Sequence, residues 1–169
     1  MDPVLLAVLA AAAVGVGWAT SRRRRAHKPA ARRSTYPGDF EGRVDVVYSP
    51  AADGEADPGE IVWTWVPFEE DHARGKDRPV LVIGHDGRWL LALQLTSKDH
   101  DHDAAEEARW GRYWLDIGSG AWDRQRRPSE VRLDRIVRVD PASVRREGAI
   151  LDRATFDRVA RSLSDVHHW

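Results

Sequence analysis

Arg78 stands where a polar loop meets an apolar strand, a place from which a fixed cation can bind an anionic group. Residues 69–77 are mostly charged, and Pro79 and the apolar run Val80–Ile83 follow Arg78 directly. Proline restricts its own φ and pushes the preceding residue toward an extended conformation, so the guanidinium is held at the mouth of the strand. A planar guanidinium suits bidentate contact with a phosphate group. The alternative role of Arg78 is an ion pair with the acidic residues 69–71.

A second polar segment, Thr96-Ser97-Lys98, ends the next apolar run. The turn signal at residues 85–87 predicts a hairpin, and residues 88–95 are its return strand. The two hydroxyl groups can donate hydrogen bonds, and Lys98 adds local positive charge. The alternative for Thr96 and Ser97 is a strand-end turn in which the hydroxyl groups cap backbone groups.

Short strands dominate the pattern that must position these residues. Ile61–Val66 is β-branched and aromatic, which favours a pleated surface. Residues 129–139 alternate apolar and charged side chains, with Ile136 out of phase, and residues 152–163 carry apolar side chains at helical spacing after the N-cap Asp152. The sequence therefore predicts a mainly β (α+β) fold with five or six short strands and one C-terminal helix. Further strands are predicted at residues 43–48 and 110–117.

Taken in order, these segments resemble the PemK/MazF family of toxins, the endoribonucleases of type II toxin–antitoxin systems. The family pattern is a G-[DE]-[IL]-V-W strand, a polar loop, Arg-Pro before an apolar strand, and then a strand that ends in Thr or Ser near a Lys. In this sequence Gly59–Trp63 matches the first strand, Arg78-Pro79 matches the Arg-Pro pair, and Thr96 matches the residue at the end of the later strand. The resemblance covers residues 59–163. It implies a small SH3-like β-barrel with a C-terminal helix, a PemK/MazF-like barrel domain over residues 59–169.

The resemblance also implies an activity and partners. Members of the family cleave single-stranded RNA without a metal or other cofactor, by attack of a ribose 2′-OH on the adjacent phosphate. They are usually homodimers, in which RNA and a cognate antitoxin compete for a groove at the dimer surface. We therefore expect a metal-independent endoribonuclease whose partners are single-stranded RNA, an antitoxin protein and a second copy of the chain.

Three residues match or replace the catalytic groups of the family. Arg78 matches the family Arg, which stabilises charge on the phosphoryl oxygens, and Thr96 matches the Thr whose hydroxyl donates to the phosphate. The position of the family acid holds Ala73. The neighbouring His72 is the predicted base, because histidine changes charge near neutral pH, although an exposed loop histidine is often inert. The predicted RNA contacts are Ser97 and Lys98.

The charge balance supports a second hypothesis. The chain has 26 basic and 27 acidic residues, and residues 1–35 contain seven of the basic residues but one acid, so the remainder carries 19 basic and 26 acidic residues. A generic nucleic-acid binder shows a basic face, so RNA would need a local positive groove here. The alternative is a catalytically inactive SH3-like barrel that binds a protein or nucleic-acid partner at the membrane. The lack of cysteine excludes disulfides and Cys-based zinc sites.

The N-terminal sequence predicts a membrane anchor. Residues 3–20 are uncharged and the arginines 22–25 follow. As a helix this segment would span about 27 Å, close to the roughly 30 Å of a hydrocarbon core. Basic residues stay on the cytoplasmic side, so residues 1–21 are predicted as a single transmembrane helix with its N-terminus outside, followed by a basic and polar tether over residues 22–58. This predicts a single-pass protein of the cell membrane with a cytoplasmic barrel domain.

Residues 99–103 alternate aspartate and histidine, the types of side chain that bind divalent metals. No third anchored ligand is evident from the sequence, so a solvated loop is the favoured interpretation. We therefore expect no metal site.

Overall fold

A six-stranded antiparallel sheet is built from residues 36–99 and 104–169, the part of the chain that the computed structural model describes. Its order across the sheet is β4-β5-β3-β2-β1-β6. The prediction of a mainly β fold with a C-terminal helix is confirmed. The elements are β1 (Glu60–Pro67), β2 (Gly75–Asp86), β3 (Trp89–Thr96), α1 (Ala104–Arg109), β4 (Trp114–Gly118), β5 (Ser129–Val139), a 3-10 turn (Pro141–Ser143), β6 (Arg146–Ile150) and α2 (Arg153–His167).

Irregular pairing curls this sheet. The pairs β1–β6, β2–β3, β3–β5 and β4–β5 each contain a register shift, and such bulges bend a strand and increase its twist. The edges of the sheet in the described residues are β4 and β6. The predicted SH3-like barrel is confirmed only as this curled sheet with its C-terminal helix.

The largest irregularity lies in β5. Leu93 and Leu95 of β3 are two residues apart, whereas their partners on β5, Ile136 and Val131, are five residues apart. Three extra residues therefore bulge out of β5 opposite β3. This bulge is the physical reason why Ile136 falls out of phase with the alternation of residues 129–139.

Apolar side chains cover both faces of the central strands. Val80–Ile83 has exposures of 0–1%, as a continuous apolar run favours in a strand that is buried on both faces. On one face the core includes Phe156, Val159 and Leu163 of α2, and on the other it consists of side chains from β1, β2, β3 and β5. Each fully buried aliphatic side chain stabilises the fold by about 1.5–3 kcal/mol, so β2 and β3 form a rigid base for residues at their ends.

Residues 36–48 pack against the sheet, although the sequence placed them in a tether. The Phe40 amide donates to the Ile136 carbonyl (2.8 Å), and the Val47 amide donates to the Ile83 carbonyl (3.0 Å). Val44 is 5% exposed. A Cβ on Gly84 would lie 2.7 Å from the Asp45 carbonyl oxygen, so only glycine allows this segment to cross β2 so closely. We call residues 36–40 the strap.

Two strand predictions differ from the structure. Residues 43–48 are extended but form no strand, and the strand predicted over residues 110–117 begins at Trp114. The helix predicted over residues 152–163 is α2, where the Asp152 side chain accepts from the Thr155 amide (2.9 Å) as the N-cap.

The predicted location as a single-pass protein of the cell membrane is wrong for the part of the chain that the structure describes. No helix within residues 36–99 and 104–169 is long and apolar enough to cross a membrane. The longest, α2, has 15 residues, so it spans about 22 Å against the roughly 30 Å of a hydrocarbon core, and it carries charged side chains along its length. The predicted transmembrane helix, residues 1–21, lies outside the described residues.

Candidate functional site

Arg78 lies near the start of β2, where its backbone pairs with Thr64 of β1. Its side chain is half-buried and has no ion pair or hydrogen bond within residues 36–99 and 104–169. Burial and the positive charge of Arg135 lower the pKa of the Arg78 guanidinium below its ordinary value. The predicted alternative, an ion pair with the acidic residues 69–71, is therefore not formed. A cation that is held without a counter-ion is ready to bind an anion.

Thr96 and Ser97 lie at the end of β3 and line the same cavity as Arg78, of about 290 Å³. The Thr96 hydroxyl oxygen accepts a hydrogen bond from the Lys98 amide (3.1 Å). A hydroxyl group has one hydrogen to donate and two lone pairs, so this contact leaves its O–H free to donate. We call this space the hydroxyl cavity.

The walls of the hydroxyl cavity are aromatic and fixed by hydrogen bonds. The Trp63 indole N–H donates to the Trp122 carbonyl (3.0 Å), and the Trp122 indole N–H donates to the Ser129 hydroxyl (3.0 Å). Both tryptophans line the cavity. Aromatic faces of this kind can stack on nucleic-acid bases. The sequence pattern around Arg78 and Thr96 did not predict that Trp63 and Trp122 would line the same cavity as these two residues.

The charges of the hydroxyl cavity leave a positive excess. Its two carboxylates are paired: Asp123 with Arg127 (2.6 Å) and Asp77 with Arg145 (3.6 Å). Lys76 also lines the cavity and, like Arg78, has no carboxylate partner in the described part of the chain. The lining of this cavity therefore carries unpaired positive charge, although the domain is acidic overall.

Two of the predicted site residues lie apart from this cavity. His72 is exposed in the β1–β2 loop, and its ring meets Tyr36 edge to face with 4.9 Å between the ring centres. Lys98 is exposed beyond the end of β3. Neither residue lines the hydroxyl cavity, so the structure brings together three of the five predicted residues: Arg78, Thr96 and Ser97.

The strap supplies a carboxylate that the sequence pattern did not single out. Asp39 accepts two hydrogen bonds from the Arg135 guanidinium, at 2.7 and 3.1 Å, and another from the Tyr36 hydroxyl. Burial raises the pKa of the Asp39 carboxyl, but these hydrogen bonds and the charge of Arg135 outweigh it, so the pKa lies below its usual value. Burial and the adjacent Asp39 raise the pKa of Tyr36. Arg135 is thus neutralised beside Arg78.

A second cavity, of about 150 Å³, adjoins the first at Arg78, which lines both. We call it the amide cavity, because Gln94 lines it. The β5 bulge places Arg132 and Arg135 in its wall. Arg132 is paired with Glu69 (3.0 Å) and Asp134 (2.5 Å). Its complete lining is Val66, Pro67, Phe68, Glu69, Glu70, Arg78, Gln94, Arg112, Arg132 and Arg135.

Other features of the described residues offer less chemistry. A cavity of about 440 Å³ between residues 54–57 and 141–146 contains none of the predicted site residues. Within the described ranges, no three His, Asp or Glu side chains are arranged to hold a metal ion. The aspartate–histidine run considered for a metal lies, from residue 100 to 103, outside those ranges.

A family of known proteins matches most of the domain that contains the two cavities. Residues 57–167 match the PemK-like, MazF-like toxin of type II toxin–antitoxin systems, which is more than half of the chain. The chain belongs to this family. The resemblance predicted from the residues around Arg78 and Thr96 is thereby confirmed. No curated protein sequence matches the chain.

Two solved structures of MazF proteins are similar to the chain. One is MazE–MazF (Form-II) from Deinococcus radiodurans, with 19% identity, a TM-score of 0.47, and coverage of 68% of this chain and 96% of that chain. The other is toxin MazF-mt6 from Mycobacterium tuberculosis, with 14% identity, a TM-score of 0.43, and coverage of 64% and 96%.

Proposed function

We propose that the chain is a metal-independent endoribonuclease that cleaves single-stranded RNA in the hydroxyl cavity. The observation that carries the proposal is one cavity that holds both the half-buried guanidinium of Arg78 and the O–H of Thr96, neither of which has a hydrogen-bond acceptor among residues 36–99 and 104–169. Both groups donate hydrogen bonds, so both suit the oxygens of a phosphate that gains charge during reaction. Membership of the family supports the same activity.

In the proposed reaction, the 2′-oxygen of a ribose attacks the adjacent phosphorus while the bond from phosphorus to the 5′-oxygen of the next nucleotide breaks. The 2′-OH gives up its proton and the departing 5′-oxygen gains one, so the products are a 2′,3′-cyclic phosphate and a 5′-OH. Arg78 and Thr96 stabilise the negative charge on the non-bridging oxygens. In this proposal a solvent molecule accepts the 2′-OH proton, because His72, the base predicted from the sequence, lies outside the hydroxyl cavity. Ser97 is proposed to contact the RNA backbone, and the exposed Lys98 is proposed to attract it through solvent.

We also propose that the protein forms a homodimer and that a cognate antitoxin covers the hydroxyl cavity. The support is family membership in a type II toxin–antitoxin system. An acidic antitoxin segment would complement the positive excess left by Lys76 and Arg78. Sedimentation equilibrium of the purified chain tests the dimer, and a single monomeric species would contradict it.

The decisive experiment incubates the full chain with a long single-stranded RNA in the presence of a chelator. We expect discrete fragments that end in a cyclic phosphate, and a loss of about 10²–10³-fold in the Arg78→Ala variant. The matched control is Arg161→Ala, which removes an exposed arginine of α2 that lines neither cavity. Intact RNA with a folded protein would overturn the proposal and favour a partner-binding domain, and equal cleavage by Arg78→Ala would remove Arg78 from the mechanism.

A further inference from the structure

Gln94 is a buried polar residue whose side chain has no partner. It lies on the central strand β3 and is 8% exposed, yet its amide makes no hydrogen bond within residues 36–99 and 104–169. No fully enclosed polar side-chain atom in those ranges lacks a partner, so solvent reaches the amide, and it does so from the cavity that Gln94 lines. A ligand that enters the cavity would displace this solvent, so it must offer a donor and an acceptor that replace the hydrogen bonds of the amide to water.

Three of the four arginines that line the amide cavity are paired with carboxylates. Arg135 is paired with Asp39, and Arg132 is paired with both Asp134 and Glu69. The more exposed Arg112 approaches Glu107 at 3.6 Å. Only Arg78, at the border with the hydroxyl cavity, lacks a carboxylate partner among the guanidinium groups of this lining in the described residues.

This arrangement favours a neutral ligand over a second phosphate. Phosphate oxygens accept hydrogen bonds and are bound by unpaired cations, whereas a glutamine amide both donates and accepts. The edges of nucleobases present donors and acceptors side by side, and glutamine pairs with such edges through both atoms of its amide. Glu70 lines the same cavity as an exposed carboxylate without an ion pair in the described ranges, so it can accept from an amino group of a base.

Size and position also fit a base. A volume of about 150 Å³ is below the roughly 300–1,000 Å³ of pockets that hold whole small ligands, so the cavity suits one planar ring system. The half-buried ring of Phe68 lines it, and the cationic groups of Arg74 and Lys76 lie over this ring at 5.7 and 5.9 Å from its centre. Both side chains are exposed, so a base could displace one of them and stack on the ring. Because Arg78 lines both cavities, a phosphate bound at Arg78 would have its neighbouring nucleotide at the mouth of the amide cavity.

We propose that the amide cavity binds one unpaired nucleobase of RNA next to the phosphate at Arg78, and that Gln94 reads the hydrogen-bonding edge of that base. The proposal rests on the proposed function for the location of the phosphate. It makes Gln94 a residue that determines which sequence is bound, without a part in the bond-breaking step.

The test measures binding without cleavage. The full chain is mixed with a random pool of 2′-O-methyl RNA octamers, which cannot react because the 2′-oxygen is blocked, and the bound fraction is sequenced. We expect the wild-type protein to enrich one base at one position by about tenfold, the discrimination of a single good base contact. In Gln94→Leu the enrichment at that position falls to within about twofold of random, while preferences elsewhere in the octamer remain.

Two further variants make the result specific. Gln94→Glu removes the donor of the amide and keeps an acceptor, so we expect the preferred base at that position to change to one that presents an amino group. Gln125→Leu alters the other glutamine of the chain, in an exposed loop outside the cavity, and keeps the wild-type pattern. Replacement of an unpartnered buried amide by leucine leaves the midpoint of urea unfolding equal or higher, so a loss of folding does not explain the result.

Each outcome decides the proposal. An unchanged pattern in Gln94→Leu, a wild-type protein that binds RNA without any base preference, or no binding of the pool would each overturn it. Cleavage of the same sequences with natural ribose is measured separately. If the Gln94-dependent pattern is present but natural RNA stays intact, the base pocket stands and the endoribonuclease proposal fails.

Discussion

The hydroxyl cavity and the amide cavity meet at Arg78 but differ in how their charges are arranged. In the hydroxyl cavity the carboxylates are paired and the cations Lys76 and Arg78 are left over. In the amide cavity the buried guanidiniums of Arg132 and Arg135 are paired and a neutral amide is left over. The unpaired group differs between the two cavities, so we expect each to bind a different part of a nucleotide.

Arginines have two different roles around these two cavities. A guanidinium paired with a largely buried carboxylate, such as Asp39 or Asp134, stabilises the architecture, since its removal would leave that carboxylate without a counter-charge. A guanidinium without partners costs the fold little to remove, and its value lies in the ligand that it binds. The predictions below test this division.

The largest effect on stability is expected at Arg135. Arg135→Met leaves the Asp39 carboxylate without its ion pair, so we expect the free energy of unfolding to fall by about 3 kcal/mol or more. The matched variant Arg78→Met removes an unpaired guanidinium and changes the free energy of unfolding by less than about 1 kcal/mol. Urea denaturation measures both, and equal losses would show that pairing does not distinguish the two arginines.

Thr96→Val should slow cleavage about 100-fold, equivalent to about 2.7 kcal/mol, because it removes the O–H that is free to donate to the phosphate. Thr96→Ser keeps the hydroxyl and should stay within about fivefold of the wild type. Single-turnover cleavage of a defined RNA measures the difference. If valine and serine reduce the rate equally, the hydroxyl group of Thr96 has no part in the reaction.

The contribution of Asp39 to stability should depend on pH. Its pKa is lower in the folded protein than in the unfolded chain, so the stability it adds is fully present above its ordinary value of about 4 and is lost as the pH falls through the lower folded pKa. At pH 7 we expect Asp39→Asn to be less stable than the wild type by about 1–2 kcal/mol. The gap should shrink below about pH 4 in urea titrations, and a constant gap down to pH 2 would contradict the assignment.

Lys98→Ala should weaken RNA binding about threefold at low ionic strength. The side chain is exposed and lines neither cavity, so its attraction to phosphate acts through solvent. The difference should disappear near 1 M salt, where the Debye length is about 3 Å. Fluorescence anisotropy at two salt concentrations measures it, and a loss that persists at high salt would indicate a direct contact.

The smallest effect is expected at His72. A base that accepts the 2′-OH proton raises the cleavage rate about 10²–10⁴-fold. The His72 ring lies outside both cavities, so we expect His72→Gln to lower the rate by about twofold or less. The pH dependence of the cleavage rate in this variant is the measurement. A hundredfold loss, with the acidic limb of the profile removed, would restore His72 as the base.

The part of the site that local pattern could predict is the part built from neighbouring strands. Arg78 and Thr96 sit at the two ends of one hairpin, and proline, turn residues and apolar runs mark such ends in the sequence. The Asp39–Arg135 pair joins residues 96 positions apart, and no local signal encodes a contact of that length. The out-of-phase Ile136 was the one trace of the β5 bulge, but alternation alone does not say how many residues a bulge contains.

The fold was predictable to a similar degree. The apolar strands and α2 follow from periodicity, whereas β6 has the sequence Arg-Glu-Gly-Ala-Ile, which lacks the β-branched and aromatic content of a strand. It becomes a strand because β1 offers an unpaired edge. The strap lies within residues 22–58, which the sequence predicted as a tether, because short polar segments show no periodicity of apolar residues. The strap is held in place by the contacts of Phe40 with Ile136 and of Asp39 with Arg135.

The strap determines which residues must be included when this domain is transferred to another chain. The family match begins at residue 57, whereas Asp39, which neutralises Arg135 beside Arg78, lies upstream of it. Arg138 donates hydrogen bonds to the carbonyls of Gly38 and Asp39 at 2.9 and 2.8 Å, so a residue within the family match also holds the strap in place. A chimera that carried residues 57–167 alone would contain Arg78 beside an Arg135 that has lost its carboxylate partner. The piece of chain that must be kept together for a stable domain therefore starts about twenty residues before the family match.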